Sequence, residues 1–268
     1  MSAVKPAEFE FATSGLSMSG SADPLVSVIV PAYNAAATLH RALRSIEIQD
    51  YRPLEVIVVD DGSSDEIAPI VESFPSLKAR VERFKTQRGA ATARNQAIDI
   101  ATGEFIAFLD ADDEWLPGKI RRQVEVLQAR PDLAICCTDV LLVDLPEMGG
   151  HAHLNGTRAQ GCDAWKALLK TGCIVTSSVM TRRRLLTSMG GFDPRLIVAE
   201  DHDLWIRLSL NGDVHHEATL LTRKYDTDGS LTHVHHNLEA TVTLPMIEAH
   251  VSRLTDRLSD SERREILS

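Results

Sequence analysis

Apolar residues come in short bursts along the chain, each stopped by a polar or turn-forming cluster. Val26-Ser27-Val28-Ile29-Val30, a β-branched run halted by Pro31, predicts a strand buried on both faces. Leu39, Leu43 and Ile46 then recur at helical spacing, with Asn34 as the expected cap. Glu55-Val56-Ile57-Val58-Val59 predicts a second buried strand that ends in Asp60-Asp61-Gly62-Ser63-Ser64-Asp65, and a helix through Ile67, Ile70 and Val71 follows. Arg80 to Phe84 reads as a short third strand, and Ala90–Ala101 as an Ala-rich helix closed by Gly103. Phe105–Leu109 is a fourth strand, ending at Asp110. Pro117 opens a helix carrying Ile120, Val124 and Leu127, and Ala134–Thr138 predicts a fifth strand. Strand and helix alternate about every 25 residues, the signature of a doubly wound α/β sheet of mostly parallel strands.

The second half is less regular. Gly149 to Gly161 is polar, holds two histidines and reads as a loop. Ile174–Met180 predicts a strand, Asp201–Leu210 a helix, and Asn237–Leu258 one or two surface helices. Residues 1–23 have no periodicity and read as a flexible tail.

Composition narrows the function. At 268 residues with 44% apolar and 25% charged positions, the chain has enough material for a core, so disorder throughout is excluded. Lys plus Arg number 28 and Asp plus Glu 38, a net charge of −10 that argues against nucleic acid and anionic membrane surfaces as partners. No apolar stretch approaches about 18 residues, so no membrane-spanning helix is expected. Glu8 and Glu10 interrupt the first twenty positions, which do not read as a secretory signal. Cys136, Cys137, Cys162 and Cys173 show no C-x-x-C spacing, and buried free thiols in a reducing cytoplasm are the expectation.

Where the acids fall matters more than how many there are. In open parallel sheets, ligands bind beyond the carboxyl ends of the strands. Three clusters sit there: Pro31-Ala32-Tyr33-Asn34, Asp60-Asp61, and Asp110-Ala111-Asp112-Asp113. Paired carboxylates in the last turn can hold a hard divalent ion that shares its other positions with phosphate oxygens. They can equally serve a helix start, where acids complement the dipole; their place opposite a second acidic turn favours the site. Asp61 can accept a base imide N–H or a ribose hydroxyl, or simply shape its turn. Tyr33 is either a stacking surface for a base or an aromatic covering the sheet edge. Glu200-Asp201-His202-Asp203 reads first as helix-start acids, with a general base as the second reading.

Together these clusters resemble the family 2 glycosyltransferases, of GT-A fold, over roughly residues 25–232. The matching pieces are Val26–Asn34, Glu55–Asp65, Gly89-Ala90-Ala91-Thr92-Ala93-Arg94-Asn95, Gly103–Asp113, Gly190-Gly191-Phe192-Asp193 and Glu200-Asp201-His202-Asp203-Leu204-Trp205. The resemblance implies a single α/β GT-A domain over 24–236. Its nucleotide-binding half would be 24–130 and its acceptor half 131–236, with a helical segment at 237–268 after it. It implies inverting transfer from a nucleotide-sugar, UDP favoured, with Mn²⁺ or Mg²⁺ as cofactor. It places Pro31, Tyr33, Asp61, Arg94, Asp110 and Ala111 on the nucleotide, with Arg94 alternatively pairing Asp61. Asp112 would carry the metal, and Asp201 would be the catalytic base. Gly191, Phe192, Asp193, Glu200 and Trp205 would line the acceptor side. The partners implied are the donor and a glycan or lipid-linked glycan, in a cytoplasmic protein that peripheral attachment at the inner face of a membrane would suit.

The chain departs from the pattern in one loop, Arg223–Thr232. Thr227 stands where relatives carry a His that closes over the diphosphate, and Arg223, Lys224 and His233 are the candidate substitutes. A phospho-receiver also places acids after two strands, but it lacks the strand ahead of the first acids and the acidic helix at Asp201. Asp112 and Asp201 argue against a non-catalytic nucleotide-sugar binder. Nucleotidyl transfer lacks its Gly-rich basic phosphate loop.

Overall fold

The computed structural model describes residues 23–145, 150–154, 159–225 and 238–268. Its strands are β1 (Val26–Ala32), β2 (Leu54–Asp60), β3 (Arg80–Arg83), β4 (Phe105–Phe108), β5 (Glu114–Trp115), β6 (Leu133–Leu145), β7 (Gly150–Leu154), β8 (Met180–Arg182) and β9 (Asp213–Tyr225). They form one sheet in the order β3-β2-β1-β4-β8-β6-β9-β5, with β7 paired to β6. The nucleus β3-β2-β1-β4 is parallel, as the alternation predicts, and β6 runs parallel to β9. β8 joins these two parallel blocks by antiparallel pairing on each side.

Side-chain alternation explains why these runs are apolar at every position. Val28 and Val30 of β1, Val56 and Val58 of β2 and Ala107 of β4 face one core. Ile29, Ile57, Val59, Ile106 and Phe108 face the other. The helices α1 (Leu39–Glu47), α2 (Ala68–Glu72) and α4 (Lys119–Ala129) cover the first face. On the second lie α3 (Ala90–Ile100), α5 (Ala164–Lys170), α6 (Arg183–Ser188), α7 (Glu200–Ser209) and α8 (Leu244–Arg253). A last helix, α9 (Asp260–Ile266), opens with a capping box between Ser259 and Glu262 and is tied to α5 by Lys166–Glu262 and Lys170–Glu265 pairs. Each fully buried Val, Leu or Ile contributes about 1.5–3 kcal/mol, so a sheet buried on both faces is held mainly by its cores.

Several expectations are corrected. Asn34 does not cap α1. It adopts φ 49°, a left-handed conformation Asn tolerates, and its Oδ1 accepts the Ser64 N–H at 2.8 Å, lacing the loop after β1 to that after β2. Ile174–Met180 is not a strand. Ser178 donates its hydroxyl to Val175 O at 2.6 Å, and such local bonds compete with a ladder, leaving a 3₁₀ turn at Thr176–Ser178 before β8. Within the Gly149–Gly161 stretch read as a loop, Gly150–Leu154 pairs with β6; alternation of His with Ala and Leu was hidden by polar composition. The strand β9 was not anticipated, because His215, His216 and Glu217 interrupt its apolar run. Cys136 and Cys137 are buried as expected, but Cys162 is exposed, at a turn before α5. Residues 1–22 of the tail predicted over 1–23, Thr227 and His233 lie outside the described residues.

Candidate active site

The three sheet-end clusters do converge. Pro31, Tyr33, Asp61, Arg94, Asp110, Ala111, Asp112, Glu200 and Asp201 all line one cavity of about 1240 Å³, together with Asp113 and Lys224. Tyr33 stands at its edge, 45% exposed, with the ring free to receive a flat partner.

Asp61 shapes one wall. Its Oδ1 accepts the Arg88 N–H at 2.7 Å and its Oδ2 the Gly89 N–H at 2.8 Å, which leaves a lone pair on each oxygen for a ligand. The neighbouring Asp60 is buried instead, accepting the Ser63 N–H at 2.8 Å and facing Arg83. Arg94 does not pair with Asp61. Its guanidinium donates to Asp110 Oδ1 and Glu200 Oε1, both at 2.7 Å, and lies 5.3 Å over the Phe192 ring. Burial disfavours that charge, yet Asp110 and Glu200 together outweigh it and hold the guanidinium above its ordinary range.

Two adjacent residues of the 3₁₀ turn fix the acids on both sides. Thr176 Oγ1 donates to Asp201 Oδ2 at 2.6 Å, while Ser177 Oγ donates to Asp113 Oδ2 at 2.5 Å and accepts the Asp110 N–H at 3.1 Å. Asp201 Oδ1 also accepts the His202 N–H at 2.7 Å. Arg41 Nη2 donates to the Asp112 carbonyl, and its guanidinium stacks 3.6 Å over Tyr225. Burial, with Asp112 and Asp110 beside it, pushes the Asp113 carboxyl up to about 8. The crowding of acids in this turn is relieved by a proton on Asp113 or by a cation beside it.

That crowding bears on a metal. Among the described residues no three His, Cys, Asp or Glu side chains are arranged to ligate an ion by themselves. A hard divalent ion needs no such set when one carboxylate and substrate phosphates share it. Asp112, on the cavity wall beside Asp110, fits that mode.

The acceptor-side assignments divide. Glu200 and Asp201 reach the cavity; Phe192 and Trp205 do not, being 1% exposed and packed against Phe108 in the core, edge-on and tilted, at centroid distances of 5.5 and 5.9 Å. Gly191 lies under Asn95, whose side chain brackets Phe192 by accepting its N–H and donating to its carbonyl, both at 2.8 Å. Asp193 binds Arg195 at 2.7 Å. The 191–193 loop therefore supports Arg94 from below. Sequence reading missed Arg41, Thr176 and Ser177; three consecutive hydroxyls inside an apolar run were the available signal.

Apolar side chains also line the cavity: Leu169, Ile174, Leu196, Ile197, Leu244, Ile247 and Ile266. Three of these come from α8 and α9. His250 of α8 binds Asp203 Oδ1 at 2.8 Å, and Arg207 takes the other oxygen, which fastens α8 to the helix that carries Asp201.

Comparison with known proteins agrees with this geometry. The profile of "Glycosyl transferase family 2" matches residues 27–186. Amylovoran biosynthesis glycosyltransferase AmsB of Erwinia amylovora is 33% identical over 191 residues, 68% of this chain and 62% of that one. The Escherichia coli UDP-Glc:alpha-D-GlcNAc-diphosphoundecaprenol beta-1,3-glucosyltransferase WfgD is 40% identical over 105 residues, 39% of this chain and 42% of its own length. The matched region thus spans less than two thirds of either relative. S. aureus TarS in complex with UDP-GlcNAc superposes with a TM-score of 0.73 at 22% identity, over 90% of this chain and 70% of that one. Mannosyltransferase PcManGT from Pyrobaculum calidifontis, in complex with GDP-Man and Mn²⁺, gives 0.66 at 25% identity over 92% and 69%. The chain belongs to glycosyl transferase family 2 and has the GT-A fold of that family's structures.

Proposed function

We propose that the protein transfers a hexose from a nucleotide-sugar to an acceptor hydroxyl with inversion, in the synthesis of a cell-envelope polysaccharide or glycoconjugate. One observation carries this reading: Asp61, Asp110, Asp112 and Asp201, from three separate segments, line a single cavity large enough for a sugar nucleotide. Tyr33 and Pro31 receive the base, Asp61 its polar edge, and Asp110 with Ala111 the ribose. Asp112 would carry Mn²⁺ or Mg²⁺, which when bound supplies Lewis-acid neutralisation of the diphosphate.

The chain's own residues do the rest. Thr176 and the His202 N–H hold the Asp201 carboxylate in place. Asp201 takes the proton of the acceptor hydroxyl as that oxygen attacks C1 on the face opposite the leaving diphosphate. A single displacement of this kind inverts the anomeric centre. Arg94 holds Asp110 and Glu200 at fixed separation, so donor and base keep their spacing.

The apolar residues that share the cavity with Asp201 favour an acceptor with a nonpolar part, such as a lipid-linked glycan; the acceptor named for WfgD is of that kind. No helix among the described residues is long and apolar enough to cross a membrane, and we place the protein in the cytoplasm, peripheral to the membrane's inner face.

Thermal unfolding with UDP-, GDP- and dTDP-sugars, each with and without Mn²⁺, tests the reading. A ligand at 100 times its Kd adds about 2.7 kcal/mol by linkage. A metal-dependent rise in Tm with one donor is the expected result. No rise with any donor would refute the site.

A further inference from the structure

We propose that Arg182, Arg183 and Arg184 form a binding site for a phosphate group, separate from the main cavity and at the opposite end of the sheet. The proposal stands apart from the reading of that cavity as a sugar-nucleotide site.

The three arginines follow one another where β8 passes directly into α6. A strand alone would send successive side chains to opposite sides. The change to helix at Arg183 instead brings all three round one hollow of about 270 Å³, which Glu104 also lines. Arg182 is the partner of Phe105 in the β4–β8 ladder, so the hollow lies at the amino end of β4. The acidic turn at Asp110 follows the carboxyl end of that strand, and at about 3.3 Å per residue it lies up to about 20 Å away. Among the described residues the two cavities share none of their walls.

The base of the hollow is fixed. Arg182 is 8% exposed; its Nη2 donates to Leu127 O at 2.5 Å and to Arg130 O at 3.2 Å, and its guanidinium lies 5.3 Å from the Phe105 ring centre. Arg183 Nε donates to Gly103 O at 2.8 Å, which anchors the side chain and leaves its two terminal nitrogens for a ligand.

Charge says which ligand. Three guanidiniums border the hollow with one carboxylate, and Glu104 Oε1 is 3.9 Å from Arg182 Nη1. Among the described residues no acid pairs with Arg183 or Arg184. Asp132 and Asp213, the next acids, are held by Arg130 at 2.6 and 3.2 Å. Burial, with Arg184 beside it, holds Arg182 below the ordinary arginine range against the pull of Glu104 and Asp132. Repulsion between cations is thus left standing in a chain whose net charge is −10. An anion relieves it, and the guanidinium fork matches two phosphate oxygens with parallel N–H bonds. Free phosphate, pyrophosphate and the headgroup of an anionic lipid share that chemistry.

Two binding measurements test the site and tell these sources apart. Inorganic phosphate and pyrophosphate are titrated calorimetrically in EDTA at constant ionic strength. Sedimentation is followed with vesicles of phosphatidylcholine alone and of equal parts phosphatidylcholine and phosphatidylglycerol. The proteins are the wild type, Arg184→Gln, Arg183→Gln with Arg184→Gln, and Glu104→Gln. The double variant should lose about 10- to 100-fold in affinity for the probe that the wild type binds, the value of hydrogen bonds between charged groups. Glu104→Gln should bind that probe more tightly, because the acid in the hollow is gone. Arg184 is exposed, so Arg184→Gln should fold even where the double variant does not, and should show a smaller loss in the same direction. Without phosphate its Tm should equal or exceed that of the wild type, since the substitution removes a repulsion; a purely structural arginine would lower it. Selective loss of phosphate or pyrophosphate would assign the site to a soluble anion, and selective loss of the phosphatidylglycerol vesicles to a lipid headgroup. Binding of no probe to the wild type, equal affinity in the wild type and the double variant, or a lowered Tm of Arg184→Gln without phosphate would overturn the proposal.

Discussion

Arg94 of α3 and Glu200 in the first turn of α7 form a buried ion pair at 2.7 Å between residues 106 positions apart. The same guanidinium holds Asp110 at 2.7 Å, so one side chain sets the distance between the acidic turn and the helix that carries Asp201. Removing one member of a buried pair leaves the other charge uncompensated, at about 3–5 kcal/mol. Arg94→Met should lose that much stability by urea unfolding. Arg94→Met combined with Glu200→Met should lose clearly less than the sum of the two single changes. Additive losses would mean that the pair is not a unit.

Gly191 has φ 69°, and a Cβ there would collide with Asn95 Oδ1, the atom that accepts the Phe192 N–H. Gly191→Ala should cost about 2–3 kcal/mol, from the left-handed backbone and the displaced hydrogen bond. A stability within about 0.5 kcal/mol of wild type, the range of ordinary surface changes, would refute this account of the loop. Asn95→Ala should reproduce much of the loss without touching the glycine.

Lys119 is fully buried in α4, where its ammonium donates to Gln123 Oε1 at 2.8 Å and lies 4.3 Å over the Trp115 ring. Burial drives its pKa from the usual 10.5 down to about 7, against a smaller opposing pull from Cys136 and Cys137. Between those two values the unfolded chain binds more protons at this residue than the folded one, so its contribution to stability rises with pH. That contribution is complete above 10.5 and lost as pH falls to about 7. The slope is at most about 1.4 kcal/mol per pH unit. The stability of Lys119→Met minus that of the wild type should therefore shrink steadily from pH 7 to pH 10. A difference independent of pH would show that Lys119 stays charged in the core.

Much of this molecule could be read in its sequence, and for a physical reason. The strands β1, β2 and β4 are buried on both faces, so Val28-Ile29-Val30 and Val56-Ile57-Val58 are apolar without interruption and cannot be mistaken for surface structure. Their carboxyl ends must then meet, which brought Asp61, Asp110 and Asp112 to one cavity. The second half of the chain was harder to read. β9 carries His215, His216 and Glu217 within its span, with His216 against Asp139 at 2.6 Å, so a strand paired with β6 over most of its length looks polar. Phe192 and Trp205 flank site residues in sequence yet point into the core, because a helix or turn sends neighbouring side chains to different faces. Only the folded chain shows that Arg94 answers to Glu200 rather than Asp61, since ion pairing over such separations leaves no local pattern.

Asp201 is the residue proposed to take the acceptor proton, and its surroundings fit a base rather than a helix-start acid alone. Its Oδ1 does take the His202 N–H, as such an acid would, but its Oδ2 is held by Thr176 from a different segment, and the carboxylate borders the cavity. Asp201→Asn keeps the size and the hydrogen-bonding shape of the group while removing its capacity to take a proton. General-base catalysis contributes about 10²–10⁴-fold. Asp201→Asn should lower kcat by at least that factor, with donor affinity within about twofold by titration, because the donor contacts proposed above are made by other residues. Thr176→Val, which frees one oxygen of the base without removing it, should cost far less in kcat and leave donor affinity alone. Transfer at the wild-type rate by Asp201→Asn would place the base elsewhere, and a parallel collapse of donor binding would assign Asp201 to the donor instead.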